Sequence, residues 1–188
     1  PWNASIAIAA VELLCELPAG DFPAGISKLP GQWIDQQKMA EGIASARWPG
    51  RFEVLEDVPP LIIDGAHNPD GVKSLIDSIA LYLRDWPVIL VMGVFADKDY
   101  KSVIRKTAHF ADKIFTIQTP DNVRALPAEE LAEAVREHNL NAEAKHSIRE
   151  AVEEAFAIAK PEDVILAFGS LSFIGEMTDI VEEHKKQK

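Results

Sequence analysis

The segment Leu61–Val72, "LIIDGAHNPDGV", decides the interpretation of the fold. A short apolar run ends at Asp64, and Gly65 permits a tight exit from the strand that this run predicts. Asn68 followed by Pro69 is typical of a helix start, with the asparagine as N-cap and the proline in the first turn. The segment therefore predicts a strand that ends in a turn and leads directly into a helix.

The same alternation of strand and helix patterns continues to the end of the chain. The runs "VILVMGV" and "VILAF" are apolar without alternation, which is typical of strands buried on both faces. Short strands that alternate with helices predict an α/β fold, a Rossmann-like open and mostly parallel sheet with helices on both faces. Strands are predicted at Phe52–Glu56, Leu61–Asp64, Val88–Val94, Lys113–Gln118, Ala142–Lys145 and Val164–Phe168, and helices near residues 69–84, 99–109, 127–138, 148–159 and 174–184.

The first quarter of the chain has a different character. Residues 4–17 carry apolar side chains at spacings of three and four, which predicts a helix, and a second short helix is predicted at residues 37–46. Residues 18–36 are rich in proline and glycine, which predicts a long loop. We place a domain boundary near Trp48, so that residues 1–48 form one segment and residues 49–188 form a separate domain.

Composition limits the class of partner. The chain has 188 residues, 19 lysines and arginines against 30 aspartates and glutamates, and a net charge of −11. This charge argues against nucleic acid or an anionic membrane as the main partner. Cys15 is the single cysteine and cannot form an internal disulfide, so we expect a cytoplasmic protein. No apolar run approaches the roughly 20 residues that a membrane-spanning helix needs.

Polar residues follow three of the predicted strands. Ligands bind at the carboxyl ends of the strands in open parallel sheets, so these residues are candidates for one site. Asp64 is suited to ribose hydroxyls, and His67 lies above a helix N-terminus that favours an anion. Lys98 would help to hold a phosphate or carboxylate, and we assign it with His67 to the catalytic group. The alternatives remain that Lys98 is a solvated charge beside an N-cap at Asp99, and that Ser170 is only an N-cap.

Several common site signatures are absent from the sequence. There is no G-x-G-x-x-G dinucleotide fingerprint and no G-x-x-x-x-G-K-[ST] P-loop. The Cys and His residues do not have the spacing of a zinc site, and we predict no metal site in this chain.

Five segments carry a resemblance when they are taken together. "WPGRFEVLE", "LIIDGAHNPDG", "GVFADKD", "TPDNVRALPAEELAEA" and "FGSLSFIGE" occur in this order. They resemble the C-terminal domain of the folylpolyglutamate synthase/dihydrofolate synthase family, within the Mur ligase superfamily. The resemblance implies the Mur ligase C-terminal type of α/β fold, with residues 49–188 as the glutamate-ligase domain. Residues 1–48 would then be the linker helix and interdomain segment that follow an N-terminal ATPase domain.

The resemblance also implies a reaction. ATP phosphorylates a carboxylate to an acyl phosphate, and the amino group of L-glutamate then displaces the phosphate. The implied cofactors are ATP and Mg²⁺, with the metal ligands in the N-terminal P-loop domain of the same chain. The implied substrates are L-glutamate and either dihydropteroate or a folate, and a monomer is expected. This fragment alone would be inactive, because the phosphate cradle lies in the N-terminal domain.

The family's site residues can be matched to this sequence. The implied ATP contacts are Asn3, Arg51 and Asp64. The implied glutamate contacts are His67 and Ser170.

Two other functional classes remain open at this point. A cell-wall Mur ligase would share the architecture and the mechanism, although "DGAHNP" with "GSL" favours the folate branch. A non-catalytic α/β module would bind a nucleotide or a partner at its strand ends, and a phosphoacceptor receiver with Asp64 as the acceptor is one version of it.

Overall fold

A computed structural model describes residues 2–16 and 36–187 of the chain. The chain divides into two compact units, Pro1–Trp48 and Pro49–Lys188. The first unit contains helices α1 (Trp2–Glu16) and α2 (Gln36–Ser45), close to the two predicted helices. The predicted loop at 18–36 lies outside the described residues, except for Gln36, which begins α2. No helix in the described ranges is long and apolar enough to cross a membrane.

The second unit is a six-stranded sheet with helices on both faces, which confirms the predicted fold class. The strands lie in the order β1-β2-β6-β3-β4-β5. Strand β1 pairs antiparallel with β2, and the other neighbouring strands pair in parallel. The strands are β1 (Glu53–Asp57), β2 (Pro60–Asp64), β3 (Val88–Met92), β4 (Lys113–Thr116), β5 (Ala142–Ala144) and β6 (Val164–Phe168). The helices are α3 (Pro69–Tyr82), α4 (Tyr100–Thr107), α5 (Ala128–Arg136), α6 (Ile148–Ile158) and α7 (Ile174–Gln187).

The apolar strands divide their side chains between two cores, because successive residues of a strand point to opposite faces. In β3, Leu90 and Met92 belong to the core that α3, α4 and α5 cover. Ile89 and Val91 belong to the core that α6 and α7 cover. Continuous apolar runs without alternation are therefore the sequence signature of this doubly covered sheet.

Strands β3 and β4 end two residues before their predicted ends, at Met92 and Thr116. The chain leaves β3 at Gly93 and pairs with a segment from the β4–α5 loop. Val94 accepts a backbone hydrogen bond from Leu126 at 3.0 Å, and the Ala96 N–H donates to the carbonyl of Arg124 at 2.7 Å. This pairing brings the two loops together at the carboxyl end of the sheet.

Candidate functional site at the carboxyl ends of the strands

Asp64, the last residue of β2, holds two backbone segments with its carboxylate. One oxygen accepts a hydrogen bond from the Ala66 N–H at 2.8 Å, and the other accepts from the Phe52 N–H at 2.9 Å. Burial raises the pKa of Asp64, and the two backbone hydrogen bonds and the charge of Arg51 oppose that rise. The carboxylate predicted to bind ATP therefore also anchors the turn before β1.

That turn, Pro49–Phe52, is fixed at both of its sides. The Gly50 carbonyl accepts from the Gly65 N–H at 2.7 Å, and the Gly50 N–H donates to Glu53 Oε2 at 2.7 Å. Gly50 has a φ of +70°, where a Cβ would lie 2.5 Å from Ile174 Cδ1, so only glycine fits without a shift of that side chain. The result is an exposed Arg51 held on a rigid turn beside Asp64.

His67 lies half-buried in the turn between β2 and α3. Its Nδ1 is 2.8 Å from the carbonyl oxygen of Gly65. A carbonyl can only accept, so Nδ1 carries the proton, and Nε2 of the neutral ring keeps its lone pair. The next residue, Asn68, caps α3 by accepting from the Gly71 N–H at 2.8 Å, which confirms the predicted N-cap.

Ser170 follows β6 and is buried, with 2% of its surface exposed. Its hydroxyl oxygen accepts from the Ser172 N–H at 3.2 Å and shares a hydrogen bond of 2.6 Å with the Ser172 hydroxyl. The predicted N-cap role is therefore confirmed, for the 3₁₀ turn Leu171–Phe173. The preceding Gly169 has a φ of +118°, and a Cβ there would lie 2.3 Å from the carbonyl oxygen of Gly93.

A cavity of about 370 Å³ lies between these loops. It brings together two predicted site residues, His67 from the turn after β2 and Ser170 from the turn after β6. The loops after β3 and β4 contribute Phe95, Asn122 and Arg124, and the turn after β6 also contributes Leu171 and Ser172. The described residues that line it are His67, Phe95, Asn122, Arg124, Ser170, Leu171 and Ser172.

Lys98 lies in the exposed turn that leads into α4 and is not among the residues that line this cavity. Its backbone N–H donates to the Phe95 carbonyl at 3.2 Å. The following Asp99 caps α4 by accepting from the Ser102 N–H at 3.1 Å, which confirms the N-cap reading of that residue. Arg51 and Asp64 also lie outside the cavity lining. The backbone of Asn3 belongs to α1, and its side chain is outside the described part of the structure.

Arg124 is a charged cavity residue that the sequence analysis did not single out. The segment "TPDNVRALPAEELAEA" contributes to the resemblance, but the strand-end rule is applied there only to β2, β3 and β6. Arg124 lies eight residues after the end of β4, so its sequence position alone does not place it at a strand end. The same rule applied to β4 would have included its loop.

The described residues do not form a metal centre of their own. Among them, no group of three or more His, Cys, Asp or Glu side chains is arranged to hold a metal ion.

Comparison with known proteins identifies the family. Residues 50–171 match the family model described as Mur ligase, glutamate ligase domain. The chain belongs to this family. The matched range runs from the Gly50 turn to Leu171 and so includes both His67 and Ser170.

Relatives of this glutamate ligase domain are longer proteins with folate-related names. A folylpolyglutamate synthase from Lacticaseibacillus casei is 37% identical over 142 residues, which are 74% of this chain and 31% of that protein. The solved structure of E. coli FolC in complex with DHPP and ADP covers 97% of this chain and 39% of its own, with a TM-score of 0.80 and 26% identity.

A third match carries a nucleotide analogue and a metal. It is the bifunctional folylpolyglutamate synthase/dihydrofolate synthase from Yersinia pestis, complexed with AMPPNP and Mn ion. It matches 83% of this chain and 36% of its own, with a TM-score of 0.70 and 25% identity. The chain thus spans less than half the length of these relatives.

Proposed function

We propose that this chain is the C-terminal glutamate-ligase part of an ATP-dependent ligase that adds L-glutamate to a pteridine substrate, either dihydropteroate or a folate. Residues 49–188 are the glutamate-ligase domain in this proposal, and residues 1–48 are the interdomain segment. The family match and the names of the relatives support it. The observation that carries it is the cavity that joins His67 and Ser170 from neighbouring strands of the sheet.

The chemistry that this cavity would serve is amide formation. The carboxylate of the pteridine substrate attacks the γ-phosphorus of ATP, which gives an acyl phosphate and ADP. The amine of glutamate adds to the acyl carbon, and phosphate leaves with the electron pair of its C–O bond. The amine must lose a proton to complete the amide, and Nε2 of His67 would accept it because Nδ1 is already engaged with Gly65. Ser170 would hold the glutamate beside it.

The nucleotide would lie on the β1–β2 side of the site. The fixed turn presents the exposed guanidinium of Arg51, which suits a phosphate or the face of a base. Asp64 uses lone pairs for Ala66 and Phe52 but has others that a ribose hydroxyl could meet. Asn3 completes the proposed ATP contacts. Mg²⁺ bound by the N-terminal P-loop domain of the same chain would neutralise phosphate charge. Lys98, in the turn that leads into α4, would help to hold a phosphate or carboxylate as part of the catalytic group. The ligase would be a monomer.

The experiment that tests this function measures ATP-dependent incorporation of labelled L-glutamate by the complete protein that contains this chain. Dihydropteroate, a reduced folate and a UDP-muramyl peptide are offered in parallel, each with and without ATP and magnesium. We expect ATP-dependent transfer to at least one of the two pteridines. Transfer to the muramyl peptide alone would assign the chain to the cell-wall branch, and no transfer to any acceptor would contradict a ligase function. Light scattering of the same preparation measures the molar mass and so tests whether the protein is a monomer.

A further inference from the structure

Leu171 is an apolar residue in a mostly polar cavity. It begins the 3₁₀ turn Leu171–Phe173 that follows Ser170, it lines the cavity, and 47% of its surface is exposed. Its neighbour Phe173 is fully buried in the core that α6 and α7 cover, and so holds the turn in place. A half-exposed leucine contributes less to the stability of the core than a buried one, because less of its surface is removed from water.

The side chain of Leu171 packs against glycines of two other turns. A Cβ at Gly65 would overlap Leu171 Cδ2 and lie 2.8 Å from its Cγ. A Cβ at Gly50 would lie 3.6 Å from the same Cδ2 atom. Both glycines are buried, and the Gly65 N–H donates to the Gly50 carbonyl at 2.7 Å. One methyl group of Leu171 therefore packs at the point where these two turns are hydrogen-bonded to each other.

These contacts connect the two sides of the proposed site. The two glycines are the chain neighbours of Arg51 and Asp64, which are proposed to meet ATP. Leu171 directly follows Ser170, which would hold the glutamate. Closely packed groups cannot approach each other further, so a side chain between two segments sets their separation. The packing of Leu171 thus fixes the distance between the nucleotide side and the amino-acid side.

We infer that Leu171 is a positioning residue that sets the spacing between the nucleotide side and the amino-acid side of the ligase site. Amide formation requires the amine and the acyl phosphate to meet at a short distance, so a small change in this spacing affects the rate more than it affects binding. The inference rests on the proposed function and adds to it a residue that acts through Ser170 and the two glycine turns. Leu171 itself takes no part in the chemistry.

The test uses the complete ligase with Leu171→Ala, Leu171→Met, Gly65→Ala and the double variant Gly65→Ala/Leu171→Ala. Alanine removes the methyl groups from between the turns, and methionine keeps a long apolar side chain. Leu140→Ala is the matched control for the leucine, because Leu140 is 86% exposed and precedes β5 at the opposite end of the sheet. Gly175→Ala is the matched control for the glycine, because a Cβ there would meet nothing within 4 Å. The kcat, the KM for L-glutamate, the KM for ATP and the melting temperature are measured for each protein.

We expect Leu171→Ala to lower kcat about 10-fold, because the reacting groups are no longer held at the productive distance. Both KM values should stay within about 2-fold of the wild-type values, and Leu171→Met should restore most of the rate. The melting temperature should fall by only a few degrees, since the side chain is half-exposed. A purely structural role would instead lower the melting temperature and leave the kcat of the folded protein unchanged.

The double variant tests the contact itself. Gly65→Ala alone should lower kcat, because the new Cβ overlaps Leu171 Cδ2 and displaces the two turns. Leu171→Ala removes this overlap, so it should raise kcat in the Gly65→Ala background although it lowers kcat in the wild type. The recovery should be partial, because the Gly50 carbonyl oxygen would still lie 3.3 Å from the new Cβ. Both control variants should match the wild type.

Three outcomes overturn the inference. An unchanged kcat in Leu171→Ala would show that the leucine does not set the spacing. A change confined to one KM would make Leu171 a contact of that substrate, and losses of rate that add in the double variant would show that Leu171 and Gly65 act independently. Failure of the wild type to incorporate glutamate would contradict the proposed function itself and the role of Leu171 with it, whereas the first three outcomes leave the proposed function in place.

Discussion

Two charged clusters in the second unit differ in where they lie. One is at an edge of the sheet, and the other lines the cavity at the carboxyl ends of the strands. At the edge of the sheet, Lys145 is buried and its ammonium group donates to both Glu143 and Glu154. At the carboxyl ends of the strands, Arg124 is half-exposed, pairs with Asp97 and lines the cavity beside His67. The edge cluster, Lys113, Glu143, Lys145 and Glu154, is closed by ion pairs among its own members. The cavity cluster, Arg124 and Asp97, is also an ion pair, but its cation lines a cavity.

The ion pairs within the edge cluster shift the pKa values of its members. Hydrogen bonds from Lys113 and then from Lys145 lower the pKa of Glu143 to about 2. Burial acts to lower the pKa of Lys145, but hydrogen bonds to Glu143 and Glu154 outweigh it, and the pKa is raised. A closed cluster of this kind stabilises the fold, while a cluster that faces a cavity is available to a ligand.

The largest expected effect comes from the cavity side. His67→Ala in the complete ligase should lower kcat about 100-fold, because the group that accepts the amine proton is removed. The melting temperature should change little, since His67 contributes one hydrogen bond to the turn. Steady-state kinetics with saturating glutamate and ATP measure the effect.

The matched control for this change is His138→Ala, since His138 is exposed after the end of α5. That control should keep wild-type activity. A full kcat in His67→Ala would remove His67 from the catalytic group and leave only its role in the turn.

The next largest effect is expected in the edge cluster, and on stability instead of catalysis. Lys145→Met keeps an unbranched side chain but removes the ammonium group, which lies between Glu143 and Glu154 and 5.0 Å from the centre of the Phe115 ring. We expect a loss of about 2 kcal/mol in the free energy of unfolding, less than for a fully buried pair, because the two carboxylates can rehydrate. Urea denaturation measures the loss, and the KM for glutamate should not change.

Lys185→Met is the control for Lys145→Met, since Lys185 pairs with Glu182 on the exposed surface of α7. Its effect on stability should be clearly smaller. Equal losses in the two variants would show that burial adds nothing to the edge cluster and would remove the contrast between the clusters.

The fold was predictable from the sequence because its signals are local. Uninterrupted apolar runs such as Val88–Met92 indicate a strand covered on both faces, and the helix starts at Asn68 and Asp99 are capped as the sequence predicts. The ends of β3 and β4 were less predictable. They depend on the pairing of Val94 with Leu126, which joins residues far apart in the chain.

The site was predictable in part for the same reason. His67 and Ser170 follow strands that neighbour each other in the sheet, and the structure brings them to one cavity. Arg124 lies eight residues after β4, and the long-range bridge between Phe95 and Ala125 helps to hold its loop at the cavity. The ATP contacts and Lys98 stay predictions.

A third, smaller effect concerns Asp64, which anchors the turn that carries Arg51. Asp64→Ala removes the acceptor of the Phe52 and Ala66 N–H groups, so we expect a loss of about 1.5 kcal/mol in the free energy of unfolding. The KM for ATP should rise with it, because Arg51 is no longer positioned and the proposed acceptor of a ribose hydroxyl is lost. Urea denaturation and ATP titration of the same preparation measure the two changes.

Asp70→Ala is the matched control for Asp64→Ala, since Asp70 is exposed in the first turn of α3. It should leave the KM for ATP unchanged. A rise in that KM without any loss of stability would point to direct contact of Asp64 with the nucleotide rather than to an anchoring role.

The smallest expected effect is the pH dependence of the stability that the edge cluster provides. This dependence has the opposite sign to the pH dependence of the stability that Asp64 provides. The pKa of Glu143 is lowered from 4.5 to about 2, so its stabilisation is complete above pH 4.5 and is lost as the pH falls towards 2. The pKa of Asp64 is raised from 3.8, so the part of its stabilisation that depends on protonation is complete below that pH and is lost as the pH rises through the raised pKa, while its two backbone hydrogen bonds remain. Because the two trends oppose each other in the wild type, only the difference in the free energy of unfolding between the wild type and a variant isolates one of them.

The free energy of unfolding of the wild type should exceed that of Glu143→Gln in urea denaturation. This difference should shrink on acidification, by less than about 1 kcal/mol because Glu143 is half-exposed. An advantage that does not depend on pH would mean that Glu143 is not held ionised by Lys113 and Lys145, and that the edge cluster is as open as the one at the cavity.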